Sequence, residues 1–114
     1  MKCLKTRLIE KAEELDWKVT VDGTYWEFAK YSPAGEDFVF SVEAKDDKGV
    51  WREVRVYANY FDPEDHVVMW VEAKRNGVEG VPNVRQLVED ADAIEKMLDE
   101  LAEALRKETK GDRK

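Results

Sequence analysis

An apolar stripe near the C-terminus constrains the fold of this chain more than any other feature of its sequence. Seven residues recur at spacings that alternate between three and four: Val84, Leu87, Ala91, Ile94, Leu98, Leu101 and Leu105. This spacing places all of their side chains on one face of an α-helix. That face must be covered, either by the rest of the same domain or by a second helix in a coiled-coil dimer. We favour the first alternative, because about three heptads is the lower limit for a coiled coil.

The length and composition indicate one water-soluble domain. The chain has 114 residues, of which 43% are hydrophobic and 39% are charged. A chain of this size can bury a core without disulfides or metals, and the single cysteine cannot form an internal disulfide. No apolar run approaches the ~20 residues of a membrane helix, and the N-terminus lacks the apolar stretch of a secretory signal. We therefore expect a cytoplasmic protein with a single α+β domain over residues 1–106 and a disordered basic tail over residues 107–114.

A change in apolar period separates a first helix from a group of strands. Residues 4–15 follow the helical period, whereas residues 17–21 alternate apolar and polar side chains. Asp22 and Gly23 then give a hairpin-turn signal, because both positions of that turn favour positive φ. Three further segments alternate in the same way and are predicted strands: 25–31, 38–44 and 50–60. One apolar face and one mixed face are typical of an antiparallel sheet that helices cover on one side.

Helix-start signals predict two further helices. Asp62 is a good N-cap, Pro63 fits the first helical position, and Gly77 suits the position just after a helix end. Asn83 is a second N-cap, with Gln86 three residues later as its capping-box partner. The sequence therefore predicts an α+β domain in the order α-β-β-β-α-α, with an antiparallel sheet of three or four strands.

No residue pattern in the chain predicts catalysis. Side chains of metal-ligand type gather in one segment: Asp62, Glu64, Asp65 and His66. The acids there suit the N-terminal end of a helix dipole, and no second histidine completes a metal motif. Glu27 and Glu43 lie among aromatic residues in predicted strands, where we expect such carboxylates to face solvent. We predict a protein that is not an enzyme and that uses no cofactor and no metal.

Aromatic side chains form one candidate surface. Tyr25, Tyr31, Trp51 and Tyr57 fall on the mixed face of the predicted sheet. Exposed aromatic side chains can anchor a protein partner, although we favour packing between neighbouring strands as their role. The net charge of −7 argues against base stacking on this surface.

Negative charge is concentrated in the predicted C-terminal helix, where residues 84–105 carry seven acidic and two basic side chains. Five of these acids are the candidate partner-binding residues: Glu89, Asp92, Glu95, Asp99 and Glu103. The last four fall on one line opposite the apolar stripe. Positions 89 to 103 span about 21 Å of helix, so one charge occurs every ~3 Å, close to the ~3.4 Å along one DNA strand. The helix therefore either imitates a phosphate backbone or serves only to keep the protein soluble.

Several turn and helix-start segments carry a resemblance to known sequences. They are residues 31–38, 61–66, 70–73, 76–78, 80–82 and 87–91, within a region of about residues 25–105. Together they resemble a family of small uncharacterised proteins of phages and conjugative elements of gut anaerobes. The resemblance implies an accessory protein of a mobile element that acts in the cytoplasm of a bacterial host.

The predicted order of elements, the acidity and the size also resemble those of the small anti-CRISPR inhibitors of Cas9. The run of residues 8–10 and 17–23 is similar to the start of one such inhibitor. That family imitates DNA in the site that reads the PAM duplex, where arginines bind guanines. The resemblance implies a protein partner, either Cas9 or another nucleic-acid-binding defence protein, and inhibition by acidic DNA mimicry. Because phosphate contacts need clustered Lys and Arg, we expect no direct binding to nucleic acid, and none to a membrane.

An alternative function stays open at this point. The chain is also compatible with a non-catalytic protein–protein interaction module that has no target related to nucleic acids. In that case its helices can mediate a homodimer, so both a monomer and a homodimer are compatible with the sequence.

Overall fold

The computed structural model describes residues 2–111 and has the element order α-β-β-β-α-α-α. Its elements are α1 (Leu4–Glu14), β1 (Lys18–Asp22), β2 (Tyr25–Tyr31), β3 (Asp37–Glu43), α2 (Val50–Tyr60), α3 (Pro63–Arg75) and α4 (Val84–Gly111). A short 3₁₀ turn, Asp47–Gly49, leads directly into α2. The α+β class, the N-terminal helix and the three-stranded antiparallel sheet confirm the prediction.

The sheet has the strand order β1-β2-β3, and all helices that contact it lie on its apolar face. In the register, Val19 pairs with Phe28, which in turn pairs with Phe40. Alternate side chains of β3 and of the first four residues of β2 are buried, whereas the intervening ones are exposed, as the period of two predicts. Trp17 meets the edges of the Phe28 and Phe40 rings in the centre of the core. The opposite face of the sheet is open to solvent.

The prediction of a strand over residues 50–60 is wrong, because Val50–Tyr60 is helix α2. The alternation of Val54, Val56 and Ala58 suggested a strand, but Val50, Val54 and Ala58 also recur every four residues. These three side chains are buried, whereas Val56 is 48% exposed. Asp46 supports this conformation, since its carboxylate accepts a hydrogen bond from the Gly49 backbone N–H at 2.9 Å. Packing of this helical stripe on the core therefore overrides the β-propensity of the valines.

Helix α4 covers the core, as the apolar stripe predicts. Six of the seven stripe residues, from Leu87 to Leu105, are buried, and only Val84 is exposed. The apolar stripe therefore packs inside the domain of the same chain. The helix includes residues 107–111, which were predicted to belong to a disordered tail. There Thr109 is buried and donates a hydrogen bond to the Leu105 carbonyl at 2.7 Å. Residues 112–114 of the predicted tail lie outside the described residues.

Helix α3 lies at the periphery and packs against α4. It begins as predicted at the N-cap Asp62, whose carboxylate accepts from the Glu64 N–H at 2.9 Å, and it ends before Gly77. None of its side chains is fully buried. The described chain is elongated, with principal extents of 52 × 23 × 22 Å. Across residues 2–111, no helix has the length and apolar character that crossing a membrane requires.

Candidate functional site

Helix α4 presents its acidic side chains to solvent on the face that points away from the core. We call Glu89, Asp92, Glu95, Asp99 and Glu103 the acidic face of α4. The first four are exposed and Glu103 is partly buried. The helix starts with a capping box, because the Asn83 and Gln86 side chains each accept a hydrogen bond from the other's backbone N–H. The structure thus brings all five predicted site residues onto one surface.

The two C-terminal members of the acidic face are neutralised by arginines of the same chain. Asp99 accepts a hydrogen bond from Arg55 of α2 at 2.6 Å. Glu103 binds Arg106 through two hydrogen bonds, at 3.0 Å to Nε and 2.6 Å to Nη2. The hydrogen bond from Arg106 lowers the pKa of Glu103 below its ordinary value, and the same contact raises the pKa of Arg106. These two carboxylates therefore offer less negative potential to a partner than their exposure suggests.

The three N-terminal members have no such partners. Glu89, Asp92 and Glu95 form no hydrogen bond or ion pair through their side chains with any of residues 2–111. We call them the free acidic trio. They follow one another every three residues, so the trio extends over about 9 Å of helix at 1.5 Å per residue. Negative charge that is exposed and not neutralised is therefore concentrated in the N-terminal half of α4.

Two other charged side chains modify this surface. Lys96 is the only basic residue between positions 89 and 103, and it is exposed beside the trio. Glu100 is an exposed carboxylate that adds to the negative charge on the same side of the helix. Lys96 follows Asp92 by four residues and Arg85 precedes Glu89 by four, so these two cations offset part of the trio's charge without forming an ion pair with it.

A buried acid fixes the position of this half of the helix. Asp90 is 6% exposed and lies on the inner side of α4. It accepts hydrogen bonds from the Ser32 hydroxyl at 2.6 Å and from the Ala34 backbone N–H at 2.8 Å. These bonds join α4 to the loop between β2 and β3. Because a buried carboxylate is stable only when it is hydrogen-bonded, the contact holds the trio in a defined orientation.

The same loop is joined to α3. One carboxylate oxygen of Glu36 lies 2.8 Å from His66 Nε2 and accepts a hydrogen bond from Trp70 Nε1, also at 2.8 Å. Ser32 closes the loop, since its hydroxyl accepts from the Glu36 N–H at 3.0 Å. The loop between β2 and β3 therefore links the sheet to both α3 and α4, and it makes the support of the acidic face rigid.

The predicted aromatic surface is only half correct. Tyr25 and Tyr31 are 57% and 70% exposed on the open face of the sheet. Trp51 and Tyr57 belong to α2 and are partly buried, so they do not contribute to that face. Tyr57 stacks on Phe40 with 4.4 Å between the ring centroids, and burial raises the pKa of its hydroxyl. Its position follows directly from the helical conformation of residues 50–60.

The side chains of metal-ligand type after β3 take part in helix capping and in packing. Asp62 caps α3, and His66 faces Glu36 and the rings of Phe38 and Phe61. Within residues 2–111, no group of three or more His, Cys, Asp or Glu side chains is placed to hold a metal ion. Cys3 is exposed, and its hydrogen bond with the Thr6 hydroxyl lowers the pKa of the thiol.

Sequence patterns alone did not identify Asp90, Arg55 or Arg106 as determinants of this site. Asp90 could have been found, because it lies three residues after Leu87 and four before Ile94, on the apolar side of the helix. Arg106 follows Glu103 by three residues, which is the spacing of a helical ion pair. Arg55 could not be paired with Asp99 while residues 50–60 were assigned to a strand.

Comparisons with protein-family models, with curated proteins and with solved structures gave no match.

Proposed function

We propose that this chain is a non-catalytic binding protein whose acidic face of α4 occupies the basic, nucleic-acid-binding surface of a protein partner. In line with the resemblance to anti-CRISPR inhibitors, the partner is Cas9 or another nucleic-acid-binding defence protein of the host. Binding excludes DNA from that surface, so the chain acts as an inhibitor encoded by a mobile element.

The free acidic trio is the observation that carries this proposal. Three carboxylates with no cation of their own stand on one side of a helix, and like charges at these spacings destabilise a helix by roughly 0.2–0.5 kcal/mol per pair. The buried bonds of Asp90 hold that helix in place. A partner's lysines and arginines would relieve the repulsion, whereas the protein's own residues do not.

The partner's chemistry follows from the shape of the charge distribution. The carboxylates of Glu89, Asp92 and Glu95 are separated by about 4.5 Å along the axis, of the same order as the ~3.4 Å between successive phosphates of one DNA strand. A surface built to bind a phosphate backbone presents arginines and lysines at a similar spacing. Electrostatic complementarity of this kind favours fast and selective association.

A DNA-cleavage assay with Cas9 and its guide RNA tests the proposal. The wild-type chain is expected to inhibit cleavage, and the triple variant E89K/D92K/E95K should lose about 100-fold or more in affinity. The matched control E13K/E27K/E79K reverses three exposed acids elsewhere and changes the net charge equally. The control should inhibit like the wild type. Absence of inhibition by the wild type, or equal losses in both variants, would contradict the proposal.

The salt dependence of inhibition gives a second test of the same mechanism. Exposed charges are screened over about 8 Å at physiological ionic strength and over about 3 Å at 1 M. Inhibition by the wild type should therefore weaken steeply as salt is added before Cas9 meets DNA. Inhibition that stays constant with salt would show that the acidic face does not carry the binding energy.

A homodimer is the second candidate, favoured by apolar side chains on the two peripheral helix segments. Val68 and Met69 of α3 are 57% and 51% exposed, and Val84 and Val88 of α4 are 58% and 45% exposed. Exposed apolar patches often mark protein interfaces. A symmetric dimer of this kind would bring the Asp92 and Glu95 carboxylates of two copies towards each other, so its affinity should rise with salt. Light scattering at low and high salt separates this candidate from mimicry, which weakens with salt.

A further inference from the structure

A group of cations surrounds one tryptophan where the start of α2 meets the last turn of α4. We call Lys48, Trp51, Arg52 and Lys110 the Trp51 cluster. The Arg52 guanidinium lies 5.6 Å from the centroid of the Trp51 ring, and the Lys110 ammonium lies 5.8 Å from it. Both distances are within the range of a cation–π contact. Two positive charges are thus held close to the same aromatic ring.

The cations of the Trp51 cluster are not neutralised by the protein. Lys48, Arg52 and Lys110 form no ion pair with any carboxylate of residues 2–111, in contrast to the arginines that pair with the acidic face. Asp46 is the carboxylate beside them, but its side chain accepts the Gly49 N–H at 2.9 Å. The three cations therefore repel one another, and an anion bound among them would remove that repulsion.

These side chains line a depression with a volume of about 260 Å³. Three cations and one carboxylate, Asp46, give its lining a net charge of +2, although the whole chain carries −7. The Trp51 indole N–H donates no hydrogen bond to any of residues 2–111. The volume lies below the ~300–1,000 Å³ of pockets for drug-sized ligands, which suits a small anionic group.

We propose that the Trp51 cluster binds a phosphate group. A guanidinium binds phosphate oxygens through two parallel hydrogen bonds, and lysines complement the remaining charge as point cations. Three cations match a multiply charged phosphate better than a single carboxylate. The phosphate belongs to a small phosphorylated ligand, because the net charge of −7 opposes the approach of a nucleic-acid strand; a strand is the other source of phosphate that the test separates.

This site is distinct from the acidic face of α4. Lys110 follows Glu95 by fifteen residues, which corresponds to about 22 Å along the helix. The charge on α4 is thus separated into an acidic N-terminal half and a basic C-terminal end. Ligand binding at the Trp51 cluster does not depend on the proposed inhibition of a nucleic-acid-binding protein.

Nuclear magnetic resonance of the indole N–H groups tests the proposal directly. The chain has four tryptophans, and Trp51→Phe identifies the Trp51 signal by its loss. The full chain is titrated with pyrophosphate in one arm and with a single-stranded oligothymidylate in the other, at ionic strength held constant with sodium chloride. The Trp51 signal should shift with saturation, whereas the buried Trp17 and Trp26 signals should not. A shift with pyrophosphate alone identifies a small phosphorylated ligand, and a shift with the oligonucleotide identifies a nucleic-acid strand as a source.

Charge-neutral variants show whether the cations carry the binding. R52Q/K110Q should weaken binding about tenfold or more, because it removes two charge-assisted contacts. The control K18Q/K74Q removes two exposed lysines elsewhere and should bind like the wild type. If R52Q/K110Q does not fold, Lys48→Glu replaces it, because this change at an exposed side chain should weaken binding to a similar extent. A Trp51 signal that stays unchanged up to about 10 mM of either probe, or equal weakening in the control, would overturn the proposal.

Discussion

The two halves of α4 differ in how the rest of the chain treats their carboxylates. In the C-terminal half, Asp99 and Glu103 are paired with Arg55 and Arg106, and the apolar side belongs to the main core. In the N-terminal half, the free acidic trio has no ion-pair partner among residues 2–111, and the buried Leu87 lies outside that core. A single helix therefore carries two different acidic surfaces, one with paired carboxylates and one with unpaired carboxylates.

A line of acids in a sequence therefore does not define a binding surface by itself. Acids that the protein pairs internally contribute to its own structure, even when they are exposed. Acids that it leaves unpaired repel one another at these spacings. Under the proposed mimicry, the unpaired acids in the N-terminal half of α4 contribute more to partner binding than the paired acids in the C-terminal half.

Core substitutions should give the largest difference in stability between the two halves of α4. Leu98 is completely buried in the main core, so Leu98→Ala should destabilise the fold by about 3–5 kcal/mol. Leu87 is buried outside the main core, so Leu87→Ala should cost about 2 kcal/mol. Urea unfolding of both variants measures the difference. Equal losses would mean that the two halves of α4 are equally important for folding.

Loss of the buried hydrogen bonds of Asp90 should have the next largest effect on stability. Asp90→Ala should cost about 1–3 kcal/mol, because it leaves the Ser32 hydroxyl and the Ala34 N–H without their acceptor. Asp92→Ala, two residues away on the exposed side, should change stability by no more than about 0.5 kcal/mol. Thermal unfolding monitored by circular dichroism compares the two. A cost for Asp92→Ala as large as that for Asp90→Ala would refute the assignment of their roles.

Neutralising single members of the acidic face should move stability in opposite directions. Asp99→Asn should cost about 0.2–1 kcal/mol, since it weakens an exposed ion pair with Arg55. Asp92→Asn should be neutral or should stabilise by about 0.2–0.5 kcal/mol, because it relieves repulsion between like charges. Denaturant midpoints at low salt resolve this difference. If Asp92→Asn destabilised the protein as Asp99→Asn does, Asp92 would have a partner in the folded chain.

The smallest effect concerns the pH dependence of the Glu103–Arg106 pair. The pKa of Glu103 is lowered in the fold, so its contribution is present above its ordinary value of 4.5 and disappears as the pH falls through the lowered value. The melting temperature of the wild type should exceed that of Glu103→Gln slightly at pH 7, and this advantage should shrink as the pH falls below 4.5 and through the lowered pKa. An advantage that grew on acidification would contradict this pairing.

Much of the fold could be predicted from the sequence because each signal was local. The alternation in residues 25–31 and 38–44 matched β2 and β3, and the caps Asp62 and Asn83 marked the starts of α3 and α4. The prediction for residues 50–60 was wrong, because the valines there fit both the strand period and the helix period, and only packing on the core decides between them. That error also moved Trp51 and Tyr57 to the wrong surface.

The site was predicted only in part for a similar reason. Helical spacing predicts that Asp92, Glu95, Asp99 and Glu103 fall on one line, and the structure leaves all four side chains at least partly exposed. The pairing of Asp99 depends on Arg55, and this contact joins residues that are 44 positions apart. The cations near Trp51 likewise come from α2 and the end of α4. Pairings of this kind depend on tertiary packing, and a charge count along the chain does not reveal them.

The most direct test of the account compares two neutralised variants in their affinity for the complex of Cas9 and its guide RNA. E89Q/D92N/E95Q removes the free acidic trio, and D99N/E103Q removes the two internally paired acids. We predict that the first variant loses about tenfold or more in affinity, whereas the second stays within about threefold of the wild type. An equal loss in both, or a larger loss in the second, would contradict the claim that only the unpaired acids bind a partner.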